Sequence, residues 1–81
     1  MKVIVTKNAE KQLKKLDRDI FTRVLNGLKG LEEIPPQGDI KSLKGYRGMY
    51  RLRVGKYRIL YEILDEKIYI LNIGSRGDIY K

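Results

Sequence analysis

Eighty-one residues with eighteen Lys or Arg, ten Asp or Glu and a net charge of +8 make one small basic domain, long enough for a single compact core. The chain contains no cysteine and no histidine, which excludes disulfides, metal sites built on thiolate or imidazole, and every catalytic scheme that uses imidazole. The opening MKVIVT has only three consecutive apolar residues, too few for a signal-peptide core, and no later run approaches a membrane span, so the expected location is the cytoplasm.

In chain order, Val3 to Val5 is a short β-branched run, and either Thr6 or Asn8 can cap a helix beginning near Ala9. Ala9, Leu13 and Leu16 recur at helical spacing while Lys11, Lys14 and Lys15 face away, which predicts an amphipathic helix of about two to three turns. Asp17 reads as the cap of a second helix whose Ile20, Val24, Leu28 and Leu31 form a stripe, with Phe21 and Leu25 beside it. Pro35 and Pro36 stop that helix. Asn26, Gly27 and Gly30 count against it, since glycine costs about 1 kcal/mol relative to alanine inside a helix. The segment IPPQGD reads as an ordinary loop.

From Tyr50 onward the period changes to two, with runs over 50–54, 57–64 and 68–73 that predict an antiparallel meander. Gly55-Lys56 fits a two-residue hairpin of the Gly-first kind. That turn sets Val54 opposite Tyr57, Leu52 opposite Ile59 and Tyr50 opposite Tyr61 on the face that meets the helices. After Leu64, a three-residue turn over Asp65 to Lys67 buries Tyr69, Leu71 and Ile73 and sends Asn72 and Gly74 to the other face; a two-residue turn inverts this. The three-residue turn is expected because it leaves the polar residue outside. The strand tyrosines are thereby assigned to the core and Tyr46 to a loop. The fold class is α+β, two N-terminal helices on one face of a small, twisted, mainly antiparallel sheet in the order β-α-α-β-β-β. The neighbour of the first strand is left unassigned.

Residues 41–58, KSLKGYRGMYRLRVGKYR, hold seven Lys or Arg and no acid, while the rest of the chain nearly balances at eleven basic against ten acidic residues. Such a concentration is a site prepared for a polyanion, and nucleic acid is the partner it suits. The hairpin register also sets Arg53 directly across from Arg58, with Arg51 two residues along. Like charges directly opposed destabilise a sheet, so folding alone gives no reason for the pairing. The alternatives are a solvated face on which long side chains splay apart and a phosphate-binding surface. Arginine in the strands favours phosphate, because guanidinium forks onto phosphate oxygens with two parallel hydrogen bonds. Glu62 on the same face is either a base or a counter-charge to Arg51 or Arg58.

YRLRVGKYRILYEI followed by IGSRGDIYK at the end, after a strand and two helices, resembles the RelE/ParE superfamily of bacterial toxins from toxin-antitoxin pairs. The specific elements are a Y-R-aliphatic-aliphatic-Y strand and a G-x-R-x-x-aliphatic-Y ending, and the resemblance spans 1–81 as one domain. It implies a RelE-like sheet and one of two activities. The RelE branch cuts messenger RNA in the ribosome, in this case in the A site, whereas the ParE branch inhibits DNA gyrase without cutting nucleic acid. A non-catalytic RNA-binding module is a third reading.

The resemblance assigns basic strand positions to Arg51 and Arg53, the central-strand arginine to Arg58, the post-strand arginine to Arg76 and the terminal tyrosine to Tyr80. It thus implies Arg58, Arg76 and Tyr80 as catalytic and a cognate antitoxin as protein partner; Lys44, Arg47 and Lys56 of the basic segment join Arg51 and Arg53 as expected RNA-binding residues, and the residue types lead to no metal and no cofactor. Ser75 and Gly77 stand where many relatives carry His and a second basic residue, and with Lys81 last no C-terminal helix is expected.

RNA cleavage without a metal is feasible because the 2′-hydroxyl is an internal nucleophile. Arginine can stabilise the charge that develops but stays protonated, so proton transfer falls to Tyr80, a lysine or the ribosome. Tyr80 has a competing role as a stacking platform for a splayed base. An antitoxin that holds such a protein inactive needs apolar surface, expected around Leu13, Leu16 or Phe21, or beside Leu60 and Leu64.

Overall fold

Thr6 ends the first strand and starts the first helix. In the computed structural model, which describes residues 1–75, its hydroxyl accepts from the Ala9 N–H at 3.4 Å and donates to the Ile70 carbonyl at 2.6 Å. One side chain thus caps a helix and ties it to the sheet. The elements are β1 (Lys2–Val5), α1 (Lys7–Lys14), α2 (Arg18–Leu31), β2 (Asp39–Ser42), β3 (Met49–Val54), β4 (Tyr57–Leu64) and β5 (Lys67–Gly74). They form one five-stranded sheet in the order β1-β5-β4-β3-β2. β1 lies parallel to β5 and every other pairing is antiparallel. No helix among the described residues is long and apolar enough to cross a membrane.

The α+β architecture expected from the sequence stands, with one addition. Residues 39–42, read as the tail of a loop and its sequel, form the short edge strand β2. Its alternation is too brief, and its Asp39 too poor a strand former, to signal a strand without the neighbour it pairs with.

Both helices bury one stripe against the same face of the sheet. Ala9 and Leu13 from α1 and Val24, Leu28 and Leu31 from α2 cluster with Leu52, Ile59, Tyr61, Ile68, Ile70 and Ile73. Each such aliphatic side chain contributes about 1.5–3 kcal/mol when fully withdrawn from water. The two glycines that weakened the second helix are explained by close approach. A Cβ on Gly27 would lie 2.9 Å from the Val54 side chain, and one on Gly30 would lie 2.9 Å from the Gln37 backbone oxygen. The Gln37 N–H donates to the Gly30 carbonyl at 2.9 Å, which fixes the chain returning from α2 directly over the helix.

β3 and β4 pair as the Gly55-Lys56 turn requires, including Leu52 with Ile59 and Tyr50 with Tyr61. The β4–β5 connection differs from expectation. It is a two-residue turn at Asp65-Glu66, both with positive φ (52° and 62°), so Ile68 and Ile70 are buried in place of Tyr69 and Leu71. Tyr69 pairs with Glu62 and so shares the face away from the helices. A bulge at Leu60/Tyr61 then shifts the register by one residue. Beyond it Ile73 is in the core while Asn72 and Gly74 pair with Leu60 and Arg58, as the sequence suggested. The bulge satisfies both patterns on one strand: Ile68 and Ile70 inward before it, Ile73 inward after it.

Of the apolar residues expected at the surface near the helices or on the sheet, two are buried, two are partly buried and Leu64 is exposed. Leu13 and Leu60 are each only 8% exposed, and Leu16 and Phe21 pack against the core. Leu64 is exposed, as are Val5, Ile34 and Tyr46, which belong to separate elements.

Two outcomes follow from this packing. Gly30→Ala should destabilise the fold by about 1–2 kcal/mol despite alanine's better helix propensity, because the methyl group meets backbone and not a movable side chain; an unchanged or raised urea midpoint would contradict it. Burial, with Tyr50 stacked at 5.4 Å between ring centroids, pushes the Tyr61 phenol from 10.0 up to about 12. A pKa raised on folding contributes stability that is complete below about pH 10 and lost as the pH climbs to about 12. Wild type should therefore lose of order 2 kcal/mol more than Tyr61→Phe between pH 9 and pH 12 in denaturant titrations. Equal losses would show that another group titrates.

Candidate functional site

On the face away from the helices, the strand register aligns Asp39, Arg53, Arg58 and Gly74 in one row and Lys41, Arg51, Leu60 and Asn72 in the next. The helix-facing pattern of Leu52, Ile59 and Tyr61 leaves these side chains no other side to occupy. The Arg53–Arg58 opposition anticipated from the hairpin is therefore present, directly across β3 and β4.

Lys41, Lys44, Arg51, Arg53 and Arg58, with Ser42 and Leu43, line an open groove of about 550 Å³. Concave walls of one charge sign concentrate the field and raise the local concentration of an anionic ligand. The counter-charge is Asp39 on β2. Its carboxylate accepts from the Arg53 Nε at 2.9 Å and lies 3.7 Å from an Arg51 terminal nitrogen. Glu62, read from the sequence as the counter-charge, forms no ion pair among the described residues. The Arg53 side chain is 56% exposed and that of Arg51 only 14%. Arg51 is thus half-sunk between strands with one edge turned to the groove, and Arg53 is the more accessible fork.

The groove gathers Lys44, Arg51, Arg53 and Arg58 from the expected site residues and adds Lys41, the first cation of the basic segment, which β2 brings alongside Arg51. It leaves out two others. Arg47 is on the exposed β2–β3 loop, and Lys56, in the β3–β4 turn, lines a separate cavity of about 440 Å³ with Asp17, Arg23 and Tyr57. Arg76 and Tyr80 lie outside the described residues. The described chain ends at Ser75, one residue past Gly74, which pairs with Arg58. No group of three acidic side chains that could hold a metal ion occurs among the described residues. Tyr61 offers no chemistry here, since it faces the helices and holds its proton more tightly than an ordinary phenol.

The family model for the ParE toxin of type II toxin-antitoxin systems (parDE) matches residues 3–80. Toxin RelE3 of Methanocaldococcus jannaschii is 35% identical over 99% of this chain and 96% of its own length. Among solved structures, the RelB-RelE antitoxin-toxin complex of Methanococcus jannaschii aligns with a TM-score of 0.80 at 30% identity, covering 95% of this chain and 94% of that one. The archaeal RelE-RelB complex of Pyrococcus horikoshii OT3 aligns with a TM-score of 0.78 at 31% identity over 94% of each chain. The chain belongs to the RelE/ParE superfamily and is a toxin of a type II toxin-antitoxin system of the RelE family.

Asp39 competes with any anion for Arg51 and Arg53. An exposed ion pair of this kind is worth about 0.2–1 kcal/mol, so Asp39→Asn should tighten binding of a short single-stranded RNA roughly two- to fivefold in low salt and steepen its salt dependence. Weaker binding by the variant, with stability unchanged, would mean that the carboxylate orients the guanidinium groups instead of competing for them.

Proposed function

We propose that this toxin is a ribosome-dependent endoribonuclease that cuts messenger RNA in the ribosomal A site, acts in the cytoplasm and is held inactive by a cognate antitoxin. The observation that carries the reading is the convergence of Lys41, Lys44, Arg51, Arg53 and Arg58 in one open groove. The relatives from M. jannaschii and P. horikoshii, solved with RelB bound, support the antitoxin.

In this mechanism the 2′-hydroxyl attacks the adjacent phosphorus in line and loses its proton. The bond to the 5′ oxygen breaks and that oxygen takes up a proton, leaving a 2′,3′-cyclic phosphate and a 5′-hydroxyl. Lys41, Lys44, Arg51 and Arg53 hold the phosphate backbone in register. Arg58, and Arg76 by the family motif, stabilise the negative charge added at phosphorus. Tyr80, again by the motif, moves a proton or stacks a base. Arg47 and Lys56 lie off the groove and supply attraction at longer range. The substrate carries its own nucleophile and the groove repels divalent cations, so the scheme uses neither metal nor cofactor.

The matching ParE family model favours a second reading, gyrase inhibition without cleavage. The two separate in one experiment on programmed ribosomes. Tyr80→Phe should retain binding to ribosomes and antitoxin yet lose at least about tenfold in single-turnover cleavage, equivalent to about 1.4 kcal/mol of barrier. Arg58→Ala and Arg76→Ala should each cost on the order of 10² to 10³. Cleavage by wild type should persist in EDTA with ribosomes kept intact. Absence of cleavage by wild type, with growth arrest and loss of gyrase supercoiling, would replace the nuclease reading with the inhibitor.

A further inference from the structure

The β2–β3 loop carries an aromatic side chain that the fold does not use. Tyr46 is 61% exposed and belongs neither to the core nor to the residues packed against it. Among the described residues its hydroxyl has no hydrogen bond and its ring no aromatic partner. Its backbone, in contrast, is held closely. The Tyr46 N–H donates to the Leu43 carbonyl at 3.2 Å, the Met49 N–H to the Tyr46 carbonyl at 3.3 Å, and the Leu43 N–H to the Met49 carbonyl at 3.0 Å. The Ile63 N–H then ties Gly48 to β4 at 2.9 Å. An exposed ring on a loop closed at this many points loses little conformational entropy on meeting a flat partner.

The chemistry around Tyr46 selects that partner. Leu43, whose carbonyl it bonds, and Lys44 line the cationic groove, while in sequence Arg47 follows Tyr46 directly and Lys44 precedes it by one glycine, Gly45. A protein surface docked on Tyr46 would want apolar neighbours, and the residues adjoining it in sequence, Gly45 and Arg47, offer none. Basic side chains lining a groove, with an exposed aromatic ring on the loop that adjoins it, is the composition that holds single-stranded nucleic acid, backbone on the basic side chains and a base on the ring.

We infer that Tyr46 is the stacking platform for one unpaired RNA base at the loop end of the groove. This rests on the RNA reading of that groove. The base belongs either to the message or to a single-stranded stretch of ribosomal RNA, since both offer the same π face. Tyr46 is a binding residue, so its contribution should appear in KM and dissociation constant, independent of salt, whereas Lys44 contributes a salt-dependent term.

The test uses the full chain on programmed ribosomes with Tyr46→Ala, Tyr46→Phe and Lys44→Ala. Tyr46→Ala should raise KM about tenfold at an unchanged thermal midpoint and unchanged salt slope. Tyr46→Phe should stay within about twofold of wild type, and Lys44→Ala should flatten the salt slope. If one abasic nucleotide in the message abolishes the difference between wild type and Tyr46→Ala, the stacked base is in the message; if the difference persists with every abasic message, it is ribosomal. Equal KM for wild type and Tyr46→Ala overturns the inference and leaves the nuclease reading intact. Loss of antitoxin affinity in Tyr46→Ala without loss on ribosomes overturns it in favour of a protein contact. Failure of wild type to bind or cleave on ribosomes overturns the underlying reading and this inference with it.

Discussion

Two arginines facing each other across β3 and β4 are the arrangement on which the candidate site depends. Arg53 and Arg58 are placed by the Gly55-Lys56 turn, because a two-residue hairpin leaves no freedom in the register that follows it. Their repulsion costs the sheet stability. Only Asp39, bonded to Arg53 and close to Arg51, offsets it among the described residues. The fold tolerates the arrangement because the opposite face of the same two strands buries Leu52, Ile59 and Tyr61. Hydrophobic burial on one face thus holds a charge constellation on the other that would not assemble by itself. An anionic ligand relieves the repulsion, so the strain of the free state favours binding.

The short edge strand β2 matters for more than sheet completion. It brings Lys41 into the groove and Asp39 against the arginines, so its four residues both extend the cationic surface and moderate it. At the other edge β1 ends at Val5, and polar side chains from the chain that follows take over the edge of β5. Thr6 bonds the Ile70 carbonyl and Asn8 the Leu71 carbonyl, while Gln12 accepts from the Ile73 N–H and donates to Asn72. Backbone groups that would otherwise face solvent at a sheet edge are satisfied by a helix, which closes that edge to further strand pairing.

Membership of the RelE/ParE superfamily fixes the scaffold but not the chemistry, because the same helices and sheet serve nucleases and inhibitors. The charge of this chain is concentrated on the open face of its sheet. Without histidine anywhere in the sequence, charge stabilisation by guanidinium and substrate alignment must account for most of any cleavage, with proton transfer left to groups of unfavourable ordinary pKa. A buried Tyr61 whose pKa is pushed up to about 12 shows that the sheet's interior does not supply such a group.

Both helices, the β3–β4 register and the cationic character of one face were legible in the sequence, because each follows from short-range periodicity, turn chemistry or charge; of the two caps offered for α1 the structure uses Thr6, and Asp17 stands at the N-cap of α2 without a side-chain capping hydrogen bond. Other features were not legible. The parallel neighbour of β1 lies at the far end of the chain and β2 exists only by pairing with β3 across a loop, and four-residue segments carry too little pattern to announce themselves. Asp65-Glu66 adopts positive φ without the glycine or asparagine that usually marks such a turn, so the sequence does not mark the two-residue turn that sets Ile68 and Ile70 inward and Tyr69 outward, nor the bulge at Leu60/Tyr61 that brings Ile73 inward as well. Asp39, and not Glu62, is the counter-charge because β2 pairs with β3 and sets Asp39 beside Arg53. Sequence alone determined which residues are alike in charge and which alternate. Tertiary structure decided which of them meet, because pairing across a sheet is set by long-range packing that local preference does not encode.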